Sequence, residues 1–76
     1  MEARNTLHPS PEPVGTSVPH AWLGRGVQDA RSGRCGTLMD VCVEVDGTGR
    51  RYDAAYIRGA DAREFTAPAA QLRPAP

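Results

Sequence analysis

The sequence predicts an all-β fold, a small five-stranded antiparallel barrel, on three observations. The stretch TLMDVCVEVDG, from Thr37 to Gly47, alternates in the way a half-buried strand requires: Met39, Val41, Val43 and Val45 share one parity, and Asp40, Glu44 and Asp46 the other. Short apolar segments follow one another at close spacing, with glycine-bearing turn signals between them. The one helix-like start, Ala60-Asp61-Ala62-Arg63-Glu64, is cut short by the β-branched Thr66 and by Pro68.

In chain order, residues 1–23 read as a disordered Pro-rich tail and residues 24–76 as the barrel domain. The tail holds four of the seven prolines, Pro9, Pro11, Pro13 and Pro19. Its PSPEP alternation, with Gly15, Thr16 and Ser17 behind it, buries too little apolar surface to offset the entropy of ordering. Trp22 and Leu23 interrupt the polar texture, and Trp22 is expected either to fold back over the domain or to anchor a partner. GRGVQDARSGRCG then carries a short strand around Val27 and a turn at Arg31-Ser32-Gly33-Arg34. The long strand follows, with Leu38 and Cys42 as apolar residues on its polar parity, which suggests partial cover of the outer face. Asp46-Gly47-Thr48-Gly49 forms the hairpin connection, and RRYDAAYIRG is the return strand, with Tyr52, Ala54 and Tyr56 on one side and Asp53, Ala55 and Ile57 on the other. AREFTA gives a brief strand centred on Phe65. Pro68, with its preset φ, opens a single tight turn of 3-10 type, Leu72 returns to plug the barrel end, and Pro74 stops pairing. A meander of this length protects its edges best by curling on itself.

Size limits what such a domain can do. Seventy-six residues make one domain at most, and an active site of ordinary depth is not expected in it. With nine basic and nine acidic residues the net charge is zero, so no strong field draws in nucleic acid or anionic lipid. All the basic residues are arginines; together with abundant alanine, glycine and proline this reads as a GC-rich genome. The start lacks the apolar run of a secretory signal and nothing approaches a membrane span, so the expected location is cytoplasmic. Cys35 and Cys42 stand seven residues apart on one extended segment, hence about 23 Å apart, whereas a disulfide needs Cα atoms within about 7 Å. They read as reduced strand residues. His8 and His20 both fall in the tail, so no zinc-ligand spacing exists, and neither a metal nor a cofactor is expected.

RSGRCGTLMDV, YIRG and EFTAPAAQLRPA together resemble the small SH3-like barrel proteins of high-GC Gram-positive bacteria. In those, an opening D-x-x-x-G-R-x-G-x-x-M precedes a Y-L-R-P hairpin with G-G-x-E-W and a closing P-x-x-L-R-P. The corresponding residues here are Asp29 to Met39, then Tyr56, Ile57 and Arg58, then Arg63, Glu64 and Phe65, then Pro68, Leu72, Arg73 and Pro74. The chain departs from the pattern at Phe65, where tryptophan is usual, and at Gly59-Ala60-Asp61, where a proline-glycine run is usual. The resemblance implies an SH3-like barrel with a one-turn helix before its last strand; its motifs are structural and imply no activity.

Catalysis is not expected. Both histidines lie outside the domain, no lysine is present to complete a phosphate cradle, and Asp40 and Glu44, four residues apart on one strand, are about 13 Å apart and read as solvated-face charges. The expected function is a non-catalytic protein-interaction or regulatory adaptor module. The candidate partner-binding residues are Trp22, Arg50, Arg51, Tyr52, Tyr56 and Arg58, an aromatic-plus-arginine set of the kind enriched at interface hot spots. The alternative is a KOW-like nucleic-acid-binding barrel in which Arg31, Arg34, Arg50, Arg51 and Arg58 flank a stacking tyrosine. Neutral charge and the interspersed acids Asp29, Asp40, Glu44, Asp46 and Asp53 oppose that alternative.

Overall fold

The computed structural model describes residues 12–76. The elements are β1 (Gly26–Asp29), β2 (Cys35–Val45), β3 (Arg51–Arg58), β4 (Glu64–Pro68), a 3-10 turn at Ala69–Gln71, and β5 (Leu72–Pro74). All pairings are antiparallel, in one sheet of order β4-β3-β2-β1-β5. The all-β expectation, the five strands and the single 3-10 turn are therefore observed. Among the described residues β4 and β5, the two ends of this order, do not pair with each other, so strand pairing leaves the sheet open.

The loop after β1 reaches across that opening at two points. Ala30 donates its N–H to the Gln71 carbonyl at 2.9 Å, tying the loop to the 3-10 turn, and the Arg34 guanidinium lies over the Phe65 ring of β4. Inside the curl sit Val27, Leu38, Val41, Ala55, Ile57 and Ala67, with Val18, Trp22, Phe65, Ala69 and Leu72 packed against them. Every strand, the 3-10 turn and the segment before β1 thus contribute to one core, which a flat sheet could not achieve.

The parity of β2 changes midway. Leu38 pairs with Ile57 but Asp40 pairs with Tyr56, so Met39 is the extra residue of a β-bulge. The bulge turns Leu38 fully inward, at 0% exposure, and expels Met39, at 44%. This corrects the uninterrupted alternation expected from Met39 to Val45: inward residues run Leu38, Val41, Val43, and Val45 at the strand end is exposed. On β3 the inward side is that of Ala55 and Ile57. Ala54, on the other parity, is buried between its register neighbours Cys42 and Pro68.

Residues 1–11 of the expected tail lie outside the described residues. Within residues 12–23, Gly15 to Val18 run along the edge of β2 that β1 leaves uncovered. Gly15 donates to the Val43 carbonyl at 2.6 Å, Val43 to the Thr16 carbonyl at 2.9 Å and Val18 to the Val41 carbonyl at 2.8 Å, while Ser17 forms an isolated bridge with Cys42. A turn at Ala21–Gly24 then delivers the chain to β1, with Gly24 donating to the Leu38 carbonyl and accepting the sharp φ of +81° that a side chain resists. A Pro-rich segment can serve as an edge strand because its prolines fall where no N–H is used: the donors are Gly15 and Val18, not Pro13 or Pro19.

Two hairpins close the sheet ends by the same device. In the β2–β3 loop Asp46 accepts from the Thr48 N–H at 2.8 Å, the Thr48 hydroxyl at 2.6 Å and the Arg50 N–H at 3.0 Å, while Gly49 takes φ +84°. In the β3–β4 loop Asp61 accepts from the Arg63 N–H, and Ala62 holds the left-handed φ of +65°.

Candidate functional site

Three surfaces emerge when the candidate binding residues are placed on this frame. The first is the outer face of β2 and β3, where Asp40, Cys42 and Glu44 pair in register with Tyr56, Ala54 and Tyr52. The Tyr56 hydroxyl donates to Glu44 at 2.7 Å. That hydrogen bond to the carboxylate, aided by burial, pushes its pKa up to about 12. Further along, the Cys42 thiol donates to Asp40 at 3.4 Å and the Ser17 hydroxyl donates to the same carboxylate oxygen at 3.1 Å. These two donors, the thiol foremost, hold Asp40 below the usual carboxylate range, whereas burial and the Asp40 carboxylate raise the Cys42 pKa. A thiol so placed is kept from its nucleophilic thiolate form. Tyr56 is likewise held as a protonated donor, with its hydroxyl already engaged.

The second surface lies at the β2–β3 hairpin and the 3-10 turn. Tyr52 is exposed, at 38%, and with His20, Asp53, Pro68, Ala69 and Ala70 it lines an open concavity of about 480 Å³. Arg50 and Arg51 are exposed beside it in sequence. The third is a smaller concavity of about 300 Å³ lined by Trp22, Arg25, Gly26, Pro74 and Ala75. Trp22 is half-buried and packs against the core, and its ring centroid is 5.3 Å from that of His20, whose Nδ1 accepts the backbone N–H of Trp22. Of its two expected roles, covering the domain is the one observed.

The six candidate residues therefore do not form one site. Arg50, Arg51 and Tyr52 are consecutive at one end of β3, Tyr56 shares the Tyr52 parity farther along, and Arg58 is at the opposite strand end. Seven residues of strand, about 23 Å, separate Arg51 from Arg58. Arg58 is paired with Glu64 at 3.5 Å on an exposed surface, a pairing of about 0–1 kcal/mol. Trp22 belongs to the third surface.

His20, Pro68, Ala69 and Ala70 are not legible in the sequence as companions of Tyr52, because nothing local positions a histidine within a Pro-rich tail. The carboxylates that organise loops were also missed. Asp29, only 8% exposed, accepts from the Ser32 hydroxyl at 2.8 Å and the Arg31 N–H at 3.2 Å. The Ser32 hydrogen bond chiefly lowers its pKa, against the opposing effect of burial. Asp46 is lowered by its hydroxyl bond from Thr48 and by the backbone donors of Arg50 and Thr48. The signal was present in D-x-x-S and D-G-T, where a short carboxylate precedes a turn by the spacing of an Asx motif. Among the described residues no group of three or more His, Cys, Asp and Glu side chains is arranged to hold a metal ion, and no helix is long and apolar enough to cross a membrane.

No protein-family model matches the chain, and no curated protein or solved structure matches it either.

Proposed function

We propose that the chain is a small SH3-like barrel serving as a non-catalytic protein-interaction or regulatory module in a bacterial cytosol. The architectural part of this reading is supported by the order β4-β3-β2-β1-β5, by the 3-10 turn immediately before β5, and by the loop after β1 that curls across to β4 and that turn. The bacterial setting rests on the sequence resemblance alone.

The observation that carries the functional part is Tyr52. In so small a domain an aromatic left exposed at the rim of a concavity is out of place as core and well placed as an anchor, since an amphipathic ring offers contact area at low entropic cost. Arg50 and Arg51 next to it supply exposed cationic groups, neither of them in a salt bridge among the described residues. The protein-partner reading is favoured over nucleic acid because the tyrosine that shares this face, Tyr56, is committed to Glu44, and Asp40 and Glu44 oppose a phosphate backbone there.

The reading is tested by titrating labelled random DNA and RNA at two salt concentrations. No salt-sensitive rise in anisotropy is expected, and a steep loss of measured affinity with added salt would move the assignment to nucleic acid.

A further inference from the structure

We propose that the outer edge of β4, between Glu64 and Pro68, is a docking edge for an extended, carboxylate-bearing segment of a partner protein, which adds to the sheet as a further strand. This rests on the protein-interaction reading and specifies the partner's chemistry.

The edge is open by construction. The Gly59 N–H on the Arg63 carbonyl makes that pair hydrogen-bonded, and in antiparallel register the next bonded pairs are Ile57 with Phe65 and Ala55 with Ala67. The N–H and C=O groups of Glu64 and Thr66 therefore point away from β3, and no hydrogen bond to them occurs among the described residues. The other edges are occupied or blunted. Residues 15–18 and 24–25 pair along the free part of β2, and β5 is three residues long and carries Pro74.

The space beside β4 has the shape and charge for such a guest. A concavity of about 320 Å³ is lined by Asp29, Arg31, Ser32, Thr66, Ala67 and Pro68, between the strand and the loop after β1. It adjoins the Tyr52 concavity at Pro68, which lines both. A strand paired with Thr66 would turn its flanking side chains to the side of the sheet where Arg34 covers Phe65 and where Arg31 lines the gap. Neither arginine forms a salt bridge among the described residues, although the Arg31 charge is one of the influences that lower the Asp29 pKa. The Asp29 carboxylate, the acidic group in the same lining, is already accepting from Ser32 and Arg31. The complement is thus a segment with an Asp or Glu next to the residue that pairs with Thr66, with main-chain hydrogen bonds giving affinity and the carboxylate giving selectivity.

A displayed library of random heptapeptides, selected on the whole chain, tests this. The expected pool is enriched in Asp or Glu within β-branched residues, and a peptide from it slows amide exchange at Glu64 and Thr66. Thr66→Pro, which removes an N–H the fold does not use, and Arg31→Glu, on the exposed loop, should each weaken binding at least tenfold. The second variant keeps the test decisive if the first perturbs folding. An enriched pool without carboxylates, or one whose protected amides cluster around His20 and Tyr52 and whose binding survives both variants, overturns the β4 proposal and leaves the interaction reading standing. No enriched pool at all rejects both.

Discussion

The Arg34 guanidinium lies 3.9 Å from the centroid of the Phe65 ring, joining the loop after β1 to the edge strand β4. The two residues are far apart in sequence, and the contact links loop and strand across the open side of the sheet. Removing the ring by Phe65→Ala should cost about 3 kcal/mol, the low end for a phenylalanine because this one is half-buried. Arg34→Ala should cost about 0.5–1 kcal/mol, and Arg34→Lys less. Denaturant melts of the three variants give these values directly. Equal losses for Arg34→Ala and Phe65→Ala would show that the cation, not the ring's packing, holds the curl.

Gly36 is the position least able to accept a side chain. A Cβ there would stand 2.7 Å from the Ile57 side chain and press closer still on the Arg58 carbonyl, which is backbone and cannot swing aside. Gly36→Ala should therefore destabilise by about 3 kcal/mol through overpacking, visible as a fall in thermal midpoint. A variant melting with the native chain would mean that β2 and β3 lie farther apart than the structure has them.

Acid should loosen the fold. Asp29, Asp40 and Asp46 have pKa values lowered in the folded chain by hydrogen bonds to their carboxylates, so each contributes stability that is present above its unfolded value and lost as pH falls through the folded one. The loss should be confined to pH below about 4, where unfolded aspartates titrate. Asp29→Asn, at the one buried site of the three, should flatten that acid limb and cost about 2 kcal/mol at neutral pH. An acid limb of unchanged slope in the variant would locate the titration elsewhere.

Tyr56 offers an independent check at high pH. Its hydroxyl is bound to Glu44, its pKa is raised to about 12, and a raised value contributes stability below the unfolded pKa that is lost as pH rises through the folded one. In a Tyr52→Phe background, phenolate absorbance should appear only near pH 12, and Glu44→Gln should move it down. Ionisation near the ordinary value of about 10 would show that the pair is not formed in solution.

Much of this frame was legible in the sequence because it is local. Alternation marked β2, Asp46 to Gly49 marked the hairpin, and Pro68 before Leu72 marked the 3-10 turn, each within a few residues. What escaped depends on partners distant in the chain. The bulge at Met39 exchanges the expected roles of Leu38 and Met39 because the register with Ile57 and Tyr56 slips by one. Residues 15–18 pair with β2 through backbone groups that composition does not report. Of the candidate site, the run Arg50-Arg51-Tyr52 was visible as exposed loop chemistry. His20 and Ala69 reach Tyr52 only through the curl of the sheet.

The central claim is that the concavity rimmed by Tyr52 meets a protein. A photo-crosslinking residue placed at position 52 or at position 70 in the native cell, with position 73 on β5 as control, tests it most directly. A discrete protein adduct is expected at 52 and 70 and not at 73. Adducts sensitive to nuclease, or the same adducts at all three positions, would contradict it.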